Sequence, residues 1–218
     1  MATVPTAVED YVKVIFAHTE WQPEPISSSG LAARLGLAAS SVTEMVKKLV
    51  AQGLVAHEPY GAIELTPSGE ALALTMVRRH RLIETWLVES YGYGWDEVHD
   101  EAEVLEHAMS DRLLDAIDEQ LGFPEHDPHG DPIPRRDGSI VRPAAVLLMD
   151  ATAPGHVVRI SDRDPLLLRH LHAEGIGLGA RIEPGSPTPF GAAVLVGGKP
   201  HELGRDALTS IWVSIEPA

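Results

Sequence analysis

The residues with the clearest potential for chemistry form one helical stretch in the middle of the chain. His99, Glu103, Glu106 and His107 lie four, three and one residues apart in succession. On an α-helix, which turns by about 100° per residue, this spacing places the four side chains on an arc of roughly 100°. Carboxylate oxygens and imidazole nitrogens are ligands of divalent metals. The stretch is therefore a candidate metal site, and a solvated helix face is the alternative interpretation.

The same part of the chain carries a strong excess of negative charge. Between residues 94 and 120 there are ten acidic residues and one basic residue, Arg112. Like charges one helical turn apart repel one another. A bound cation would relieve this repulsion, which favours the metal-site interpretation.

A second motif lies one predicted helix earlier. His80 and Glu84 are four residues apart, a spacing that lets both side chains bind one ion. Alone, such a pair is more often an ordinary surface or core pair, but the neighbouring motif strengthens the case. We expect two other histidines, His126 and His129, to be solvated, because they lie in a segment rich in proline and glycine.

Composition limits the function classes. The chain has 218 residues, a formal charge of −15 and no cysteine. Disulfides, zinc ribbons, iron–sulfur clusters and cysteine nucleophiles are thereby excluded. No apolar run approaches the roughly 20 residues that span a bilayer, and no secretory signal is visible at the N-terminus. We therefore expect a cytoplasmic protein, and its acidity by itself argues against a nucleic-acid partner.

The elements that would position these side chains begin with a winged helix-turn-helix. Residues 7–20 show a helical apolar pattern, and a short helix then ends at Gly36. A further helix ends at Gly53, and residues 54–57 and 62–65 flank a predicted hairpin turn. Two short helices joined by a tight turn place the second helix in the DNA major groove. This order of elements predicts DNA binding.

The predicted DNA contacts cluster on the second helix and on the hairpin. Lysines there suit phosphate contacts, and small polar residues suit contacts to phosphates or base edges. Helix capping is the alternative interpretation of these small polar residues, and for Ser40 the two interpretations are equally good. The candidates are Ser28, Ala39, Ser40, Ser41, Thr43, Glu44, Lys47, Lys48 and Tyr60.

The remaining chain divides into a helical and a β-rich part. Thr66 and Pro67 suit a helix start, and the helical pattern continues to about residue 121. Residues 122–145 have the composition of a linker. Short apolar runs between residues 146 and 218, separated by glycine and proline, predict a small β-rich domain, a barrel being one option.

Four sequence strings, following the winged helix-turn-helix, resemble the DtxR/MntR family of metal-dependent repressors. The resemblance covers nearly the whole chain. It implies a mainly α fold with a small β content, in three domains: a winged helix-turn-helix at residues 1–65, a helical metal-binding and dimerisation domain at 66–140, and an SH3-like, FeoA-like β-barrel domain at 141–218. The strings are Arg79-His-Arg-Leu82, His99-Asp-Glu-Ala102, Glu106-His-Ala-Met-Ser-Asp111 and Asp131-Pro-Ile-Pro134.

The resemblance also implies two metal sites in each subunit. The primary site would use Asp10, Glu103, Glu106 and His107. Iron-sensing members carry methionine and cysteine where this chain has Asp10 and Glu103. Carboxylates favour manganese over softer metals, so the resemblance implies Mn²⁺, with Fe²⁺ as the alternative.

The ancillary site would use His80, Glu84 and His99. In three-domain members the SH3-like domain completes this site, and the matching positions here are Asp164, which suits a ligand, and Leu167, which does not. His170 or His172 is an alternative donor. Short manganese-sensing members have a further acidic ligand where this chain has Lys13, so we do not expect their closely spaced metal pair.

Together these features predict a manganese-dependent transcriptional repressor of metal-homeostasis genes. It would bind palindromic operator DNA as a homodimer, and a metal shared by Asp10 and the residue 103–107 face would tie the DNA-reading helices to the helical core. The alternatives are an iron-dependent repressor of the same architecture, a di-metal hydrolase and a metal buffer. We expect no enzymatic activity, because no separate nucleophile or general base is evident.

Overall fold

The computed structural model describes residues 4–58 and 61–215. The chain divides into two compact units. The first contains the residues up to His80 together with Pro134–Ser139, and the second contains Arg81–Ile133 and the residues from Ile140 onwards. Among the helices of the described part, none is long and apolar enough to cross a membrane.

The first unit has the predicted winged helix-turn-helix. Helices α1 (Thr6–Thr19), α2 (Ser28–Leu35) and α3 (Ala39–Ala51) precede two antiparallel strands, β1 (Val55–His57) and β2 (Ile63–Leu65). The Ser27 side chain accepts a hydrogen bond from the backbone N–H of Gly30 and so caps α2. Gly36 ends α2 at a φ of 64°, a conformation that favours glycine. The helix-turn-helix and the hairpin are thus confirmed.

The helices of the first unit bury one face each. On α1, Val8, Val12 and Ile15 are buried, as the apolar periodicity predicts. On α3 the buried positions are Val42, Val46 and Leu49, which recur every three or four residues. The opposite face of α3 is left at the surface.

The long helix α4 (Pro67–Tyr91) runs through the boundary between the two units, which falls after His80. The hydroxyl of Thr66 accepts a hydrogen bond from the Gly69 N–H at 3.2 Å, which confirms the predicted start. Gly69 is required by a close backbone approach, since a Cβ there would lie 1.9 Å from the Leu54 carbonyl oxygen.

The second unit continues α4 with two shorter helices, α5 (Val98–Leu105) and α6 (Asp111–Gln120). Ile83 and Leu87 of α4 pack with Val98 and Ala102 of α5 and with Leu114 of α6. The helix α5 ends two residues earlier than the sequence pattern indicates. Glu106 nevertheless keeps helical dihedral angles, and its N–H bonds to the Ala102 carbonyl.

The C-terminal part of the second unit is the predicted SH3-like β domain. Its six strands form one antiparallel sheet in the order β3-β8-β4-β5-β6-β7. Val157, Ile182 and Ile211 are central members of its buried core. The elements are β3 (Val146–Leu147), a 3₁₀ turn (Leu148–Asp150), β4 (Gly155–Ile160), α7 (Pro165–Ala173), β5 (Arg181–Pro187), β6 (Gly191–Val196), β7 (Lys199–Gly204), α8 (Arg205–Leu208) and β8 (Ile211–Ile215).

Residues 127–131, here called the 127–131 turn, are ordered by local hydrogen bonds. One oxygen of Asp127 accepts the N–H groups of His129 and Asp131 at 2.8 and 2.9 Å. The Ile160 N–H donates to the His129 carbonyl at 2.9 Å, which attaches the turn to β4. The expectation that His129 is solvated is therefore wrong, because its side chain is fully buried, whereas His126 is exposed as expected.

Candidate metal centre

Three potential metal ligands from distant parts of the sequence meet in the second unit. His99, the second residue of α5, has its Nδ1 3.3 Å from Glu84 Oε1 and 3.3 Å from Asp162 Oδ2. Glu84 comes from α4 and is almost fully buried, and Asp162 follows β4. One ligand atom from each residue lies within 4.8 Å of the others. Two carboxylates and an imidazole form a donor set that suits a hard or borderline divalent cation.

The electrostatics of this cluster favour a positive charge between the carboxylates. Burial lowers the pKa of His99, but the hydrogen bonds and charges of Asp162 and Glu84 outweigh it and raise the pKa to about 11. Burial raises the pKa of Asp162, but the same contact with His99 outweighs it and lowers the pKa well below its usual range. A proton on His99 therefore supplies this charge near neutral pH, and ligation by the imidazole requires its loss.

The other residues predicted for the two sites divide between the units. In the second unit, Glu103 Oε1 lies 3.5 Å from His99 Nε2, and His107 Nε2 lies 3.4 Å from Glu106 Oε1. Glu106 is fully buried. In the first unit, Asp10 lies half-buried on α1, and His80 is buried one turn before Glu84 on α4.

Asp162, and not the predicted Asp164, approaches the cluster from the β domain. Asp164 is the N-cap of α7, and its Oδ1 accepts the N–H groups of Leu166 and Leu167 at 2.9 and 3.3 Å. Asp164 directly precedes Pro165, and an acidic residue before a proline at the first helical position is a typical N-cap. That signal was present in the sequence and separates Asp164 from the neighbouring Asp162.

The alternative donors on α7 are also placed elsewhere. His170 and His172 are exposed, and neither belongs to a potential metal cluster in the described part of the chain. The ring of His172 instead faces Trp95, with 6.2 Å between ring centroids.

A second buried group adjoins Glu84. His129 Nε2 donates a hydrogen bond to the Trp95 carbonyl at 2.6 Å. Burial, together with the nearby charge of Asp131, raises the pKa of Asp127 to about 7. Burial lowers the pKa of His129, but the charges of Asp127 and Glu84 outweigh it, so its pKa is raised. Sequence reasoning missed this group, because its linker-like composition indicated solvent exposure.

Buried ion pairs hold the 127–131 turn against α4 and β4. Arg159 Nε lies 2.7 Å from Asp131 Oδ1, and Arg81 Nη2 lies 3.4 Å from the same oxygen. Arg81 Nη1 also donates to the Pro132 carbonyl at 2.7 Å. Because Asp162 closely follows Arg159, these contacts bring the β-domain carboxylate and the turn to the C-terminal half of α4.

The predicted DNA contacts in the first unit lie mainly on the free face of α3. Ala38 is the N-cap of this helix, so the capping interpretation of Ser40 and Ser41 is wrong. The Thr43 hydroxyl donates to the Ala39 carbonyl at 2.9 Å. Ser28 is half-buried at the start of α2, and Tyr60 lies outside the described residues. The exposed candidates are Ala39, Ser40, Ser41, Thr43, Glu44, Lys47 and Lys48.

Three family models match the chain in sequence order. The iron dependent repressor N-terminal DNA binding domain matches residues 4–63. The iron dependent repressor metal binding and dimerisation domain matches residues 66–135, and the FeoA domain matches residues 148–215. The three matches follow the succession of helix-turn-helix, helical region and β domain.

Solved structures and curated relatives agree with this assignment. A structure titled manganese-dependent transcriptional repressor complex with manganese is 47% identical, with a TM-score of 0.92, and the match covers 96% of this chain and all of that chain. The structure of ScaR with bound Zn²⁺ is 30% identical, with a TM-score of 0.83, and the match covers 96% of this chain and 99% of that chain.

Among the curated relatives, one comes from a bacterium and another from an archaeon. The diphtheria toxin repressor of Corynebacterium efficiens is 36% identical over 58% of this chain, and the match spans about half (54%) of that relative's length. An uncharacterized HTH-type transcriptional regulator of Methanocaldococcus jannaschii is 37% identical over 51% of this chain and 89% of that protein. The chain therefore belongs to the family of metal-dependent, DNA-binding transcriptional repressors, whose members are regulators and not enzymes.

Proposed function

We propose that this protein is a manganese-dependent repressor that binds palindromic operator DNA as a homodimer and controls metal-homeostasis genes in the cytoplasm. The observation that carries the proposal is the convergence of Glu84, His99 and Asp162, a donor set suited to Mn²⁺, in a chain that also has a helix-turn-helix. A dimer with two-fold symmetry accounts for a palindromic operator, because each recognition helix reads one half-site.

The proposed ancillary site consists of His80, Glu84, His99 and Asp162. His80 precedes Glu84 by one helical turn, a spacing that suits two ligands of one ion. The proposed primary site consists of Asp10, Glu103, Glu106 and His107, as the family resemblance implies. A cation bound there supplies positive charge to the carboxylates of this set.

On the DNA side, Lys47 and Lys48 provide the positive charge of helix α3. Both are exposed on α3, as are Ser40, Ser41 and Thr43. We assign the lysines to phosphate contacts and the small polar residues to contacts at the edge of the groove. Because the whole chain has a formal charge of −15, bound cations also reduce its repulsion from the DNA phosphates.

Iron is the second candidate metal, and the relatives provide a specific reason for testing it. The IdeR protein of Mycobacterium bovis, named an iron-dependent repressor, is 35% identical over 58% of this chain. The structure at 47% identity is named for manganese. In the proposed primary site, Asp10 and Glu103 supply oxygen donors at the two positions where iron-sensing members have methionine and cysteine. Oxygen donors favour manganese.

A fluorescence-anisotropy titration of promoter fragments tests the proposal. We expect tight, sequence-specific binding with Mn²⁺ and loss of binding with chelator. Parallel anaerobic titrations with Fe²⁺ and with Zn²⁺ identify the preferred metal. Asp10→Ala should abolish the manganese dependence, whereas Asp100→Asn, an exposed carboxylate of α5 outside both sets, is the matched control.

Three results would contradict the proposal. Manganese binding without any sequence-specific footprint would indicate a metal buffer. Unchanged manganese dependence in Asp10→Ala would remove the assigned primary site, and stronger activation by Fe²⁺ at equal free concentration would replace manganese with iron.

A further inference from the structure

Glu84 has ligand-type neighbours on both of its carboxylate oxygens. Oε1 faces His99, whereas Oε2 lies 3.8 Å from Nδ1 of His129. The Oδ1 atom of Asp127 lies 3.9 Å from the same nitrogen. One ligand atom from each of Glu84, Asp127 and His129 lies within 4.8 Å of the other two, and all three side chains are buried.

The His129 ring is oriented as a metal-binding imidazole would be. A carbonyl oxygen can only accept, so the 2.6 Å contact with Trp95 places a proton on Nε2. Within the described residues Nδ1 has no hydrogen-bond partner, although the side chain is fully buried. Metal-bound histidines characteristically donate their other ring N–H to a carbonyl or carboxylate. The Trp95 ring stacks on His129 at an interplanar angle of 15° and holds this orientation.

The separations between these atoms suit a shared ion better than direct hydrogen bonds. A hydrogen bond from Nδ1 would need a distance of about 2.7–3.2 Å. A cation with bonds of about 2.0–2.6 Å holds neighbouring ligand atoms roughly 3–4 Å apart. The observed 3.8 and 3.9 Å fall in the second range.

The charges around this group leave room for a cation. Arg81 Nε lies 3.6 Å from Asp127 Oδ2, on the other oxygen of that carboxylate. Arg81 and Arg159 both also contact Asp131. Two guanidinium groups therefore face three carboxylates, those of Glu84, Asp127 and Asp131. Buried carboxylates without compensating positive charge are costly, so a proton on Asp127 or His129, or a bound cation, completes the balance.

We propose that Glu84, Asp127 and His129 bind a further divalent cation of the Mn²⁺ class, with Glu84 bridging it to the ancillary site. The inference goes beyond the proposed function, since Asp127 and His129 belong to neither of the sets assigned above. The 127–131 turn thereby becomes a ligand-bearing element instead of a linker.

Manganese stoichiometry of the full chain tests this site. Equilibrium dialysis followed by elemental analysis should give one more Mn²⁺ per chain in the natural protein than in His129→Gln. Asp127→Asn keeps an oxygen for the two backbone N–H groups of the turn but removes the charge, and it should also lose one ion. The matched control is His126→Gln, which replaces an exposed histidine next to the turn and should keep the full number.

Anomalous diffraction at the manganese edge provides the second measurement, on the unmodified protein. We expect a peak within about 2.5 Å of His129 Nδ1. Equal stoichiometry in the natural protein and both variants, or manganese peaks only elsewhere, overturns the proposal and assigns the charge balance to a proton on Asp127 or His129. If His129→Gln does not fold, Asp127→Asn and the diffraction peak decide. If the natural protein binds no Mn²⁺ at any site, the proposed function itself fails.

Discussion

Replacing Gly130 with alanine tests whether the 127–131 turn is held tightly against β4. Gly130 has a φ of 91°, and an added Cβ would lie 2.0 Å from the Val158 carbonyl oxygen. A left-handed conformation costs a non-glycine residue about 1–2 kcal/mol. Relief of the overlap must also move the turn away from β4, which weakens the hydrogen bond between Ile160 and His129 at a cost of about 1 kcal/mol.

The expected loss for Gly130→Ala is therefore about 2–3 kcal/mol. For a chain of this size it corresponds to a fall in Tm of roughly 4–12 °C. Gly175→Ala is the matched control, because Gly175 has a φ of 73° but no atom within 4 Å of the added Cβ. This control should lose only about 1–2 kcal/mol.

Differential scanning calorimetry in the presence of chelator makes the comparison without any contribution from bound cations. Gly130→Ala should lower Tm clearly more than Gly175→Ala. Equal losses in the two variants would refute the reasoning, because the close approach between the turn and β4 would then contribute nothing. Far-UV circular dichroism at low temperature verifies that both variants fold.

Three further predictions concern the ligands, the DNA contacts and the protons. Asp162→Asn should lower Mn²⁺ affinity at least tenfold in calorimetric titration, whereas Asp164→Asn should leave it unchanged, because Asp164 caps α7. Equal losses of affinity in the two variants would contradict the assignment of Asp162 as a ligand. Lys47→Ala and Lys48→Ala should each reduce the slope of log affinity against log salt by about 1, while exposed Lys199→Ala should not change it. Because His99 has a pKa of about 11 in the metal-free protein, its imidazole must lose a proton to bind metal. Mn²⁺ affinity should therefore rise with pH between pH 6 and 8, and calorimetry in buffers of different ionisation enthalpy should detect the released protons. A pH-independent affinity would contradict this.

Much of the fold and part of the site could be predicted from residues that are close in sequence. Ser27, Gly36 and Thr66 are capping signals that act within a few residues, so the helix boundaries of the first unit follow from local chemistry. Periodicity likewise identified the pairing of His99 with Glu103, since residues four apart on a helix are neighbours.

Local signals also misled at two positions. Ser40 and Ser41 suit a cap, but the helix begins one residue before Ser40, so both lie inside its first turn. The proline and glycine content around His129 indicates a solvated linker. The buried pairs that Arg81 and Arg159 form with Asp131 instead draw this turn into the protein.

What the sequence by itself determined is the set of helices, the metal-ligand residue types on them and the resemblance to metal-dependent repressors. What only the tertiary structure decided is which carboxylate of the β domain meets His99, and that His129 shares Glu84 with it. The spacing between residues 84, 99, 129 and 162 carries no periodic signal. Their meeting depends on how β4 and the 127–131 turn pack against α4, an arrangement set by buried contacts between residues far apart in the chain.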